Sequence, residues 1–261
     1  MRHGMLIALS GVDCAGKTTQ RELLFGRLWG LHMRPVTVWS RPGYTPGLET
    51  LKRLLGKRRR RSEVASPEAS TTPETPAPRS RYPRRAADLG GPLRRRVWLD
   101  LALLDLLWQY GVRLRWLRAL GRAVICDRYL LDCLVDFRVN FPDDRVERNL
   151  LWRLLWRVSV RPDAALCLIV PPEETDARAA RKSRSHREAL EVLEARWRTY
   201  RSLSRELDVA VLDGLLPADE LARRMWRSVA AALPGSRLHP DSPGAASRPH
   251  DAPAGLGRLG R

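Results

Sequence analysis

The segment SGVDCAGKTTQ, residues 10–20, constrains the fold of this chain more than any other feature. It directly follows the apolar run MLIAL and fits the pattern G-x-x-x-x-G-K-[ST], with Gly11, Gly16, Lys17 and Thr18 in the required places. The glycines let the backbone curl until successive N–H groups point inward, where they can bind phosphate oxygens. Lys17 would bridge the β- and γ-phosphates of a nucleotide, and the Thr18 hydroxyl would be a Mg²⁺ ligand. The segment therefore predicts a phosphate-binding loop between a buried strand and a helix, rather than a plain strand-to-helix turn.

Short apolar runs alternate with longer helix-like stretches through most of the chain. The runs are nearly continuous, as expected of strands that are buried on both faces of a parallel sheet. The candidate strands are residues 5–9, 36–39, 123–126, 164–170 and 209–212, and the candidate helices are residues 18–31, 97–120, 145–158, 173–181, 188–207 and 218–233. This alternation predicts a three-layer α/β fold of the P-loop NTPase type, with a parallel sheet of about five strands flanked by helices.

Two segments fall outside this pattern. Residues 57–85 begin and end with basic residues and are rich in Pro, Ser, Thr and Glu, and residues 234–261 are also rich in Pro and Ser. Such compositions cannot bury enough apolar surface to fold. We therefore expect one domain over residues 1–233, with a disordered insertion at 57–85 and a disordered tail at 234–261. The arginine cluster 58–61 could bind nucleic acid or anionic lipid, but a solvated charge run is the simpler interpretation because no aromatic residues interleave it to stack on bases.

Charge and cysteine content narrow the class of protein further. The 47 Lys and Arg residues outnumber the 29 Asp and Glu residues, a formal charge of +18 that favours polyanionic partners, although arginine-rich composition alone can produce it. The longest apolar stretch, VWLDLALLDLLW, is interrupted by Asp100 and Asp105, so we expect no membrane span. The cysteines lie far apart without metal-binding spacing, which favours a reduced, cytoplasmic protein over a disulfide framework or a zinc site; they are Cys14, Cys126, Cys133 and Cys167.

An ordered set of motifs resembles the thymidylate kinase family of P-loop nucleoside monophosphate kinases. GVDCAGKTTQ resembles the family's loop, which carries an acid at the position of Asp13, and VICDRYLLD, residues 124–132, resembles its strand and Asp-Arg-Tyr motif. DAALCLIVPPEETDARAAR, residues 163–181, is similar to the fourth strand, a Pro-Pro-Glu turn and the start of an arginine-bearing lid. LEARWRTYRSL and VAVLDG look like the helix after the lid and the last strand. The resemblance spans about residues 5–230 without the insertion.

This resemblance implies transfer of the γ-phosphate of ATP, with Mg²⁺, to the phosphate of a nucleoside monophosphate, and it suggests a homodimer. Arg128 would clamp the acceptor phosphate, Asp127 would position Mg²⁺ or its water shell, and Asp13 would contact the acceptor sugar. Phosphoryl transfer mainly needs positioning and charge neutralisation, to which Lys17 would contribute. The loop residues implied in ATP binding are Gly11, Asp13, Cys14, Ala15, Gly16, Lys17, Thr18 and Thr19.

The resemblance also implies that lid arginines close over the transferred group. The candidates are Arg178, Arg181 and Arg184, with Arg181 among the catalytic candidates. One branch of the family has an extra cation in the loop itself, at the position of Cys14, and a cysteine cannot replace that charge. The lid arginines are therefore the better candidates here, although a solvated basic helix face would give the same pattern.

Several positions on the acceptor side depart from the family pattern. Asp105 falls where the family has an Asp-Arg pair, but Leu106 follows it. Asp132, Cys133 and Phe137 replace the family's Ser-Ser…Gln pattern, whose glutamine contacts the thymine, and Phe137 could either stack on a base or belong to the core. Arg41 lies one place out of phase with the family's Arg-Glu-Pro-Gly motif and could still reach the acceptor. Because Leu106 follows Asp105, the arginine that the family has at that position is absent or has moved.

These departures leave the acceptor open, because polar groups that recognise a base are costly to leave unpaired and their replacement usually changes the ligand. A nucleotide kinase that acts on dTMP or a related monophosphate is the first hypothesis. A kinase of the same fold that acts on another small acceptor is the second, and an ATP-binding regulatory protein without catalysis is the third. Asp127, Arg128 and the basic lid argue against the third hypothesis, since simple binding does not need them.

Overall fold

The computed structural model describes residues 4–42, 91–182 and 188–233. Its centre is a sheet of five parallel strands in the order β2-β3-β1-β4-β5. The strands are β1 Met5–Gly11, β2 Pro35–Trp39, β3 Ala123–Asp127, β4 Ala164–Ile169 and β5 Ala210–Asp213. The predicted fold class is confirmed, and each strand lies within two residues of its predicted bounds.

Helices flank the sheet on both faces. They are α1 Lys17–Gly30, α2 Pro92–Leu106, α3 Leu114–Ala119, α4 Leu130–Asn140, α5 Leu150–Val158, α6 Pro172–Arg181, α7 Leu190–Glu206 and α8 Ala218–Ala231. A π-helical segment, Leu107–Arg113, joins α2 to α3, and a 3-10 turn, Val146–Arg148, precedes α5. The predicted helix 97–120 is thus three helical segments, and the predicted helix 145–158 is a 3-10 turn followed by α5.

The helix α4 was not predicted. Residues 131–137 are all buried, including two aspartates, so the segment lacks the alternation of apolar and polar faces that marks a surface helix. Its start is nevertheless local, because the Asp132 carboxylate accepts a hydrogen bond from the Tyr129 N–H (3.0 Å) and so caps the first turn.

The central strand β1 explains why the sheet is so apolar. All of its residues are buried, and it pairs with β3 on one side and β4 on the other, so that Ile7 lies between Ile125 and Ala164. Helices α1 and α8 pack together against one face, and α4 and α7 pack together against the other. A strand covered by helices on both faces needs apolar side chains on both, which is why its sequence reads as one continuous run.

The connections change direction next to β1. The chain leaves β1 for β2 on one side of it and leaves β3 for β4 on the other side. Loops that leave neighbouring strands in opposite directions open a crevice at the carboxyl ends of those strands, which is where ligands bind in sheets of this type. The loop after β1 and the residues after β3 both lie at this crevice.

Some predictions concern residues that the structure does not describe. The segments 57–85 and 234–261, the arginine cluster 58–61 and Arg184 all lie outside the described residues. In residues 4–42, 91–182 and 188–233, no helix has the length and apolar character needed to cross a bilayer.

Candidate functional site

The phosphate-binding pattern occupies the turn from β1 into α1. Gly11 ends β1 with φ 137°, and a Cβ atom there would lie 2.1 Å from the carbonyl oxygen of Leu168 on β4. Gly16 has φ 88° and immediately precedes the first residue of α1. The backbone therefore favours glycine at both positions: Gly11 permits close contact with β4, and Gly16 permits the left-handed turn. The N-terminus of α1 follows directly, with unpaired N–H groups that favour an anion.

Lys17 lies inside this loop. Its Nζ donates hydrogen bonds to the carbonyl oxygens of Gly11 (2.7 Å) and Val12 (2.6 Å) and lies 4.0 Å from Asp13 Oδ1. Burial lowers the pKa of the Lys17 ammonium, and the nearby charge of Arg128 lowers it further. The loop therefore holds a buried cation whose neighbours are two backbone carbonyls and the Asp13 carboxylate.

Arg128 faces the loop from the end of β3. Its Nη2 donates to Asp13 Oδ1, and its backbone N–H donates to the Leu9 carbonyl (3.0 Å). Burial tends to raise the pKa of Asp13, but the charges of Arg128 and Lys17 outweigh it and hold that pKa well below its usual range. The ionised Asp13 thus lies between two cations, Lys17 at the start of α1 and Arg128 directly after β3.

Asp127 lies beside the first turn of α1. Arg21 Nη1 donates to Asp127 Oδ2 (2.8 Å), and Arg21 follows the exposed Thr18 by one helical turn. Thr18 and Arg21 lie on the same side of α1, and α1 packs against β3, which ends at Asp127. Hydroxyl and carboxylate oxygens are the ligands that Mg²⁺ prefers, so Thr18 and Asp127 fit a magnesium ion that retains several waters. In the part of the chain that is described, no group of three or more His, Cys, Asp or Glu side chains could hold a metal alone.

A polar ladder joins α4 to α7 behind the loop. On the first rung, Asp132 Oδ1 accepts hydrogen bonds from the Tyr200 hydroxyl (2.7 Å) and from the Gly11 N–H (3.2 Å). On the second rung, Asp136 Oδ1 accepts from Arg196 Nη1. Both carboxylates are buried. The first rung connects the helix that follows the lid region to the first residue of the phosphate loop.

The second rung extends to the segment after β2. Asp136 Oδ2 accepts a hydrogen bond from Arg41 Nε (3.2 Å), and Arg196 Nε donates to Glu188 Oε2 (3.0 Å). Burial opposes ionisation of Asp136, but Arg196 and Arg41 lower its pKa to about 2. Arg41 therefore lies within the site cluster, as part of a buried ionic group that also contains Arg196.

The predicted lid arginines have different surroundings. Arg178 Nη1 donates to the carbonyl oxygens of Cys14 (3.3 Å) and Gly214 (3.0 Å), so Arg178 contacts the phosphate loop. Arg181 is exposed and pairs with Glu174 (3.0 Å) on its own helix. The structure therefore brings Arg178 to the loop and leaves Arg181 on the helix surface.

Other predicted residues lie farther from this cluster or on its edge. Phe137 is buried and packs edge-on against Trp152, with ring centroids 5.9 Å apart, which is a core position. Asp105 is half-buried near the C-terminal end of α2. Cys14 is half-buried in the loop with a left-handed φ of 59°, and Thr19 is exposed in the first turn of α1.

Four residues of the cluster were missed by the sequence reasoning as site residues. Arg21 follows the loop by one helical turn, and Asp136, Arg196 and Tyr200 form the α4–α7 ladder. The available signal was the spacing: Asp132 and Asp136 are four residues apart, as are Arg196 and Tyr200. The pair in α4 is notable because most of that helix is apolar, whereas α7 carries many other charged residues, so the spacing alone does not identify the partner helix.

The comparisons with known proteins agree with the fold. No family model and no curated protein sequence matches the chain. Among solved structures, a deoxyadenosine kinase from M. mycoides, determined with the products dCMP and a flexible dCDP, is similar with a TM-score of 0.54 and 15% identity. The alignment covers 87% of this chain and 100% of that chain. At this identity the likeness concerns the fold alone, and the chain therefore has the α/β fold found in that kinase.

Proposed function

We propose that this chain is a phosphotransferase that transfers the γ-phosphate of ATP to a nucleoside monophosphate, dTMP or a related nucleotide. The observation that carries the proposal is the position of Arg128, which meets Asp13 of the phosphate loop next to Lys17. A nucleotide-binding protein needs only the loop and its lysine. A second cation that faces the loop from the neighbouring strand is what a second phosphate group requires.

The proposed role of these cations follows from electrostatics. Bringing two phosphate groups together costs Coulombic repulsion, which fixed positive charges offset most strongly where water is excluded. Lys17 and Arg128 are both buried, and Asp13 lies between them. We expect donor phosphate oxygens to replace the Gly11 and Val12 carbonyls at Lys17, and the acceptor phosphate to compete with Asp13 for Arg128.

Mg²⁺ would supply additional neutralisation of the phosphate charge. Thr18 and Asp127 would hold it, the threonine through its hydroxyl and the aspartate directly or through a water. Arg21 pairs with Asp127 at 2.8 Å, so it would have to share or release that carboxylate. Arg178, which already reaches the Cys14 carbonyl, would contribute the lid cation.

A nucleoside hydroxyl is the second candidate acceptor. Asp13 is about a third exposed and has a lowered pKa, so its carboxylate could accept a hydrogen bond from a substrate hydroxyl. The similar structure is named a deoxyadenosine kinase, whose acceptor class would be a nucleoside. In that case Arg128 would orient Asp13 rather than bind an acceptor phosphate.

An ADP-release assay across a panel of acceptors tests these functions. The panel contains dTMP, other nucleoside monophosphates and uncharged deoxynucleosides, and the variants are Lys17→Ala and Arg224→Ala. Arg224 is exposed on α8 and its ion-pair partner among the described residues is Glu220, so its removal controls for the loss of one positive charge. We expect turnover with a monophosphate in the wild type and in Arg224→Ala, and none in Lys17→Ala.

The other outcomes are equally clear. Turnover only with uncharged nucleosides would favour the second acceptor class. Tight ATP binding without acceptor-dependent turnover would support a non-catalytic regulatory protein and contradict the proposal. Unchanged turnover in Lys17→Ala would contradict the assignment of the loop.

A second copy of the chain is the proposed protein partner. The solvent-facing side of α2, the π segment and α3 carries large exposed apolar residues, which are Leu93, Val97, Leu104, Trp108, Val112, Trp116 and Leu120. We refer to these residues as the apolar stripe. Contiguous apolar surface of this kind marks an interaction site in a folded protein.

A further inference from the structure

Asp136 holds two arginines that come from distant parts of the chain. Arg41 follows β2 and binds Oδ2 at 3.2 Å, and Arg196 lies on α7 and binds Oδ1. Asp136 is 5% exposed and Arg196 is 7% exposed, so both charges have lost nearly all of their hydration. Buried ion pairs rarely add net stability, because desolvation offsets the attraction between the charges. Such a cluster therefore calls for another explanation.

Arg196 retains a donor for a further ligand. Its Nη1 binds Asp136 and its Nε binds Glu188, whereas Nη2 donates to no residue within 4–42, 91–182 or 188–233. A guanidinium presents its donors in a planar fork that matches the oxygens of a phosphate or carboxylate. Arg196 can thus keep its protein partners and still bind an anion.

The α4–α7 ladder places Arg196 near the site. Tyr200, one turn after Arg196, bonds to Asp132, which accepts the Gly11 N–H and lies 4.0 Å from Arg128 Nη1. Residues four apart on a helix have neighbouring side chains, so Arg196 lies about one helical turn from the contact between Asp132 and the loop. The charges of Arg41 and Arg196 both help to lower the pKa of Asp13, which agrees with this placement.

We propose that Arg196, together with Arg41, binds an anionic group of the acceptor and takes the place of the arginine that is missing at Leu106. This inference rests on the proposed function. According to this inference, the acceptor-binding arginine is supplied by α7 instead of α2. Asp136 is the positioning residue that keeps the guanidinium groups of Arg41 and Arg196 together before the acceptor binds. The acceptor class that fits is a phosphate-bearing small molecule rather than an uncharged nucleoside.

The test compares Arg196→Lys with Arg198→Lys in the full chain. Arg198 lies on the same helix but is 72% exposed, and in the described part of the chain it pairs with Glu194, so it is a matched control. Arg196→Lys retains the positive charge and most of the side-chain volume but loses the planar fork. We expect it to raise the acceptor KM by about tenfold, with the ATP KM and kcat changed less than about threefold. Arg198→Lys should change none of these values.

A binding measurement separates this inference from the proposed function. Calorimetry with a non-hydrolysable ATP analogue bound should show weaker nucleoside monophosphate binding in Arg196→Lys, with unchanged binding of the matching uncharged nucleoside. The thermal midpoint should stay close to that of the wild type. If Arg196→Lys proves unstable, Asp136→Asn is the second variant, and it should raise the acceptor KM more than the ATP KM.

The outcomes remain distinguishable. If the folded Arg196→Lys variant keeps the wild-type acceptor KM and monophosphate affinity, the inference is wrong and the proposed function stands. If the wild type turns over only uncharged nucleosides or binds no monophosphate, both are wrong.

Discussion

Arg128 is held in a left-handed backbone conformation, with φ 76°, where a residue other than glycine costs about 1 kcal/mol. Its N–H binds the Leu9 carbonyl, and its guanidinium binds Asp13, so contacts on both sides of the residue impose this conformation. The turn directs the first side chain after β3 back toward the loop of β1. Backbone strain at an arginine that faces the phosphate-binding loop is consistent with a functional role for its side chain.

Cys14 provides a chemical readout of nucleotide binding that does not depend on turnover. Cys14 is half-buried in the loop, whereas the other three thiols are buried, and burial raises the pKa of Cys167 to about 12 and those of Cys126 and Cys133 still further. The thiolate is the reactive form, so we expect iodoacetamide to modify Cys14 first. ATP should slow this modification, as measured by mass spectrometry of the digested protein. Faster labelling of a buried cysteine, or no effect of ATP, would contradict the loop assignment, and Cys14→Ser is the control.

Asp136 predicts a specific loss of stability in acid. Its pKa is about 2 in the folded chain against an ordinary value of 3.8, because Arg196 and Arg41 stabilise the charged form more than burial disfavours it. A lowered pKa stabilises the fold above the unfolded value, and this contribution disappears as the pH falls from about 4 to about 2. The shift corresponds to about 2 kcal/mol.

Urea unfolding of the wild type and of Asp136→Asn at pH values from 7 to 2.5 measures this contribution. The difference in free energy of unfolding between the two should be largest at neutral pH and should shrink below pH 4. Asp219→Asn is the control, because Asp219 is 81% exposed on α8 and should show a small difference at every pH. A constant gap for Asp136→Asn would mean that the buried cluster does not hold an ionised Asp136.

At the scale of elements, replacement of glycine by alanine should have opposite effects on stability at two positions. Gly11 has φ 137° and no room for a Cβ beside Leu168, so Gly11→Ala should destabilise the chain by roughly 2 kcal/mol or more. Gly26 lies inside α1, where a Cβ would contact nothing within 4 Å, so Gly26→Ala should stabilise it by about 1 kcal/mol. Thermal unfolding of both variants measures the effect. Equal shifts would show that the close contact between β1 and β4 is not as tight as described.

The strands could be predicted because burial on both faces leaves a direct signature. The runs at β1, β3 and β4 are almost entirely apolar, and their observed bounds differ from the predicted ones by two residues at most. The helix α4 could not be predicted, because burial of residues 131–137 removes the alternation of apolar and polar residues on which helix prediction relies. The π segment, Leu107–Arg113, was missed for another reason: its shifted hydrogen bonds change no hydrophobic pattern.

The site was predictable only where its geometry is local. The loop residues 11–18 and the pair that ends β3 are defined by short motifs, and the structure brings them together because β1 and β3 are neighbours. The contacts of Asp136 with Arg41 and Arg196 join residues that are 95 and 60 positions apart. The first contact depends on the segment after β2 reaching α4, and the second depends on the packing of α4 against α7, and no short motif encodes either.

At the scale of the whole molecule, the cations of the site come from five separate elements. Lys17 and Arg21 belong to α1, and the others are contributed after β2, after β3, and by α6 and α7. Only a parallel sheet whose connections reverse at its centre brings these elements to one edge. Among the described residues, the positive charge at this crevice is that of Lys17 and a few arginines, of which Arg41 and Arg128 pair with carboxylates.

The apolar stripe on the outer face of α2, the π segment and α3 predicts a dimer. Most of its residues lie four apart, a step that drifts by about 40° per repeat around an α-helix. A π-helical turn contains more residues than an α-helical turn, so through Leu107–Arg113 a step of four residues rotates around the helix in the opposite direction. The two rotations offset each other, and the stripe therefore stays on one face of the helix. The stripe is roughly 40 Å long, and the adjoining α5 also has exposed apolar residues, Leu150 and Leu154. Two helices of that length offer roughly the 800 Å² per partner that a stable interface buries.

Sedimentation equilibrium at micromolar concentrations tests this dimer with two matched substitutions. Trp108 is 61% exposed within the apolar stripe, and Trp29 is 65% exposed on α1, away from it. We expect the wild type and Trp29→Glu to sediment as dimers, and Trp108→Glu to sediment as a folded monomer, because a buried unpaired carboxylate at the centre of the interface would cost several kcal/mol. A monomeric wild type would contradict the dimer. A dimer that survives in Trp108→Glu would place the interface on another surface, so these variants separate the existence of the dimer from its location.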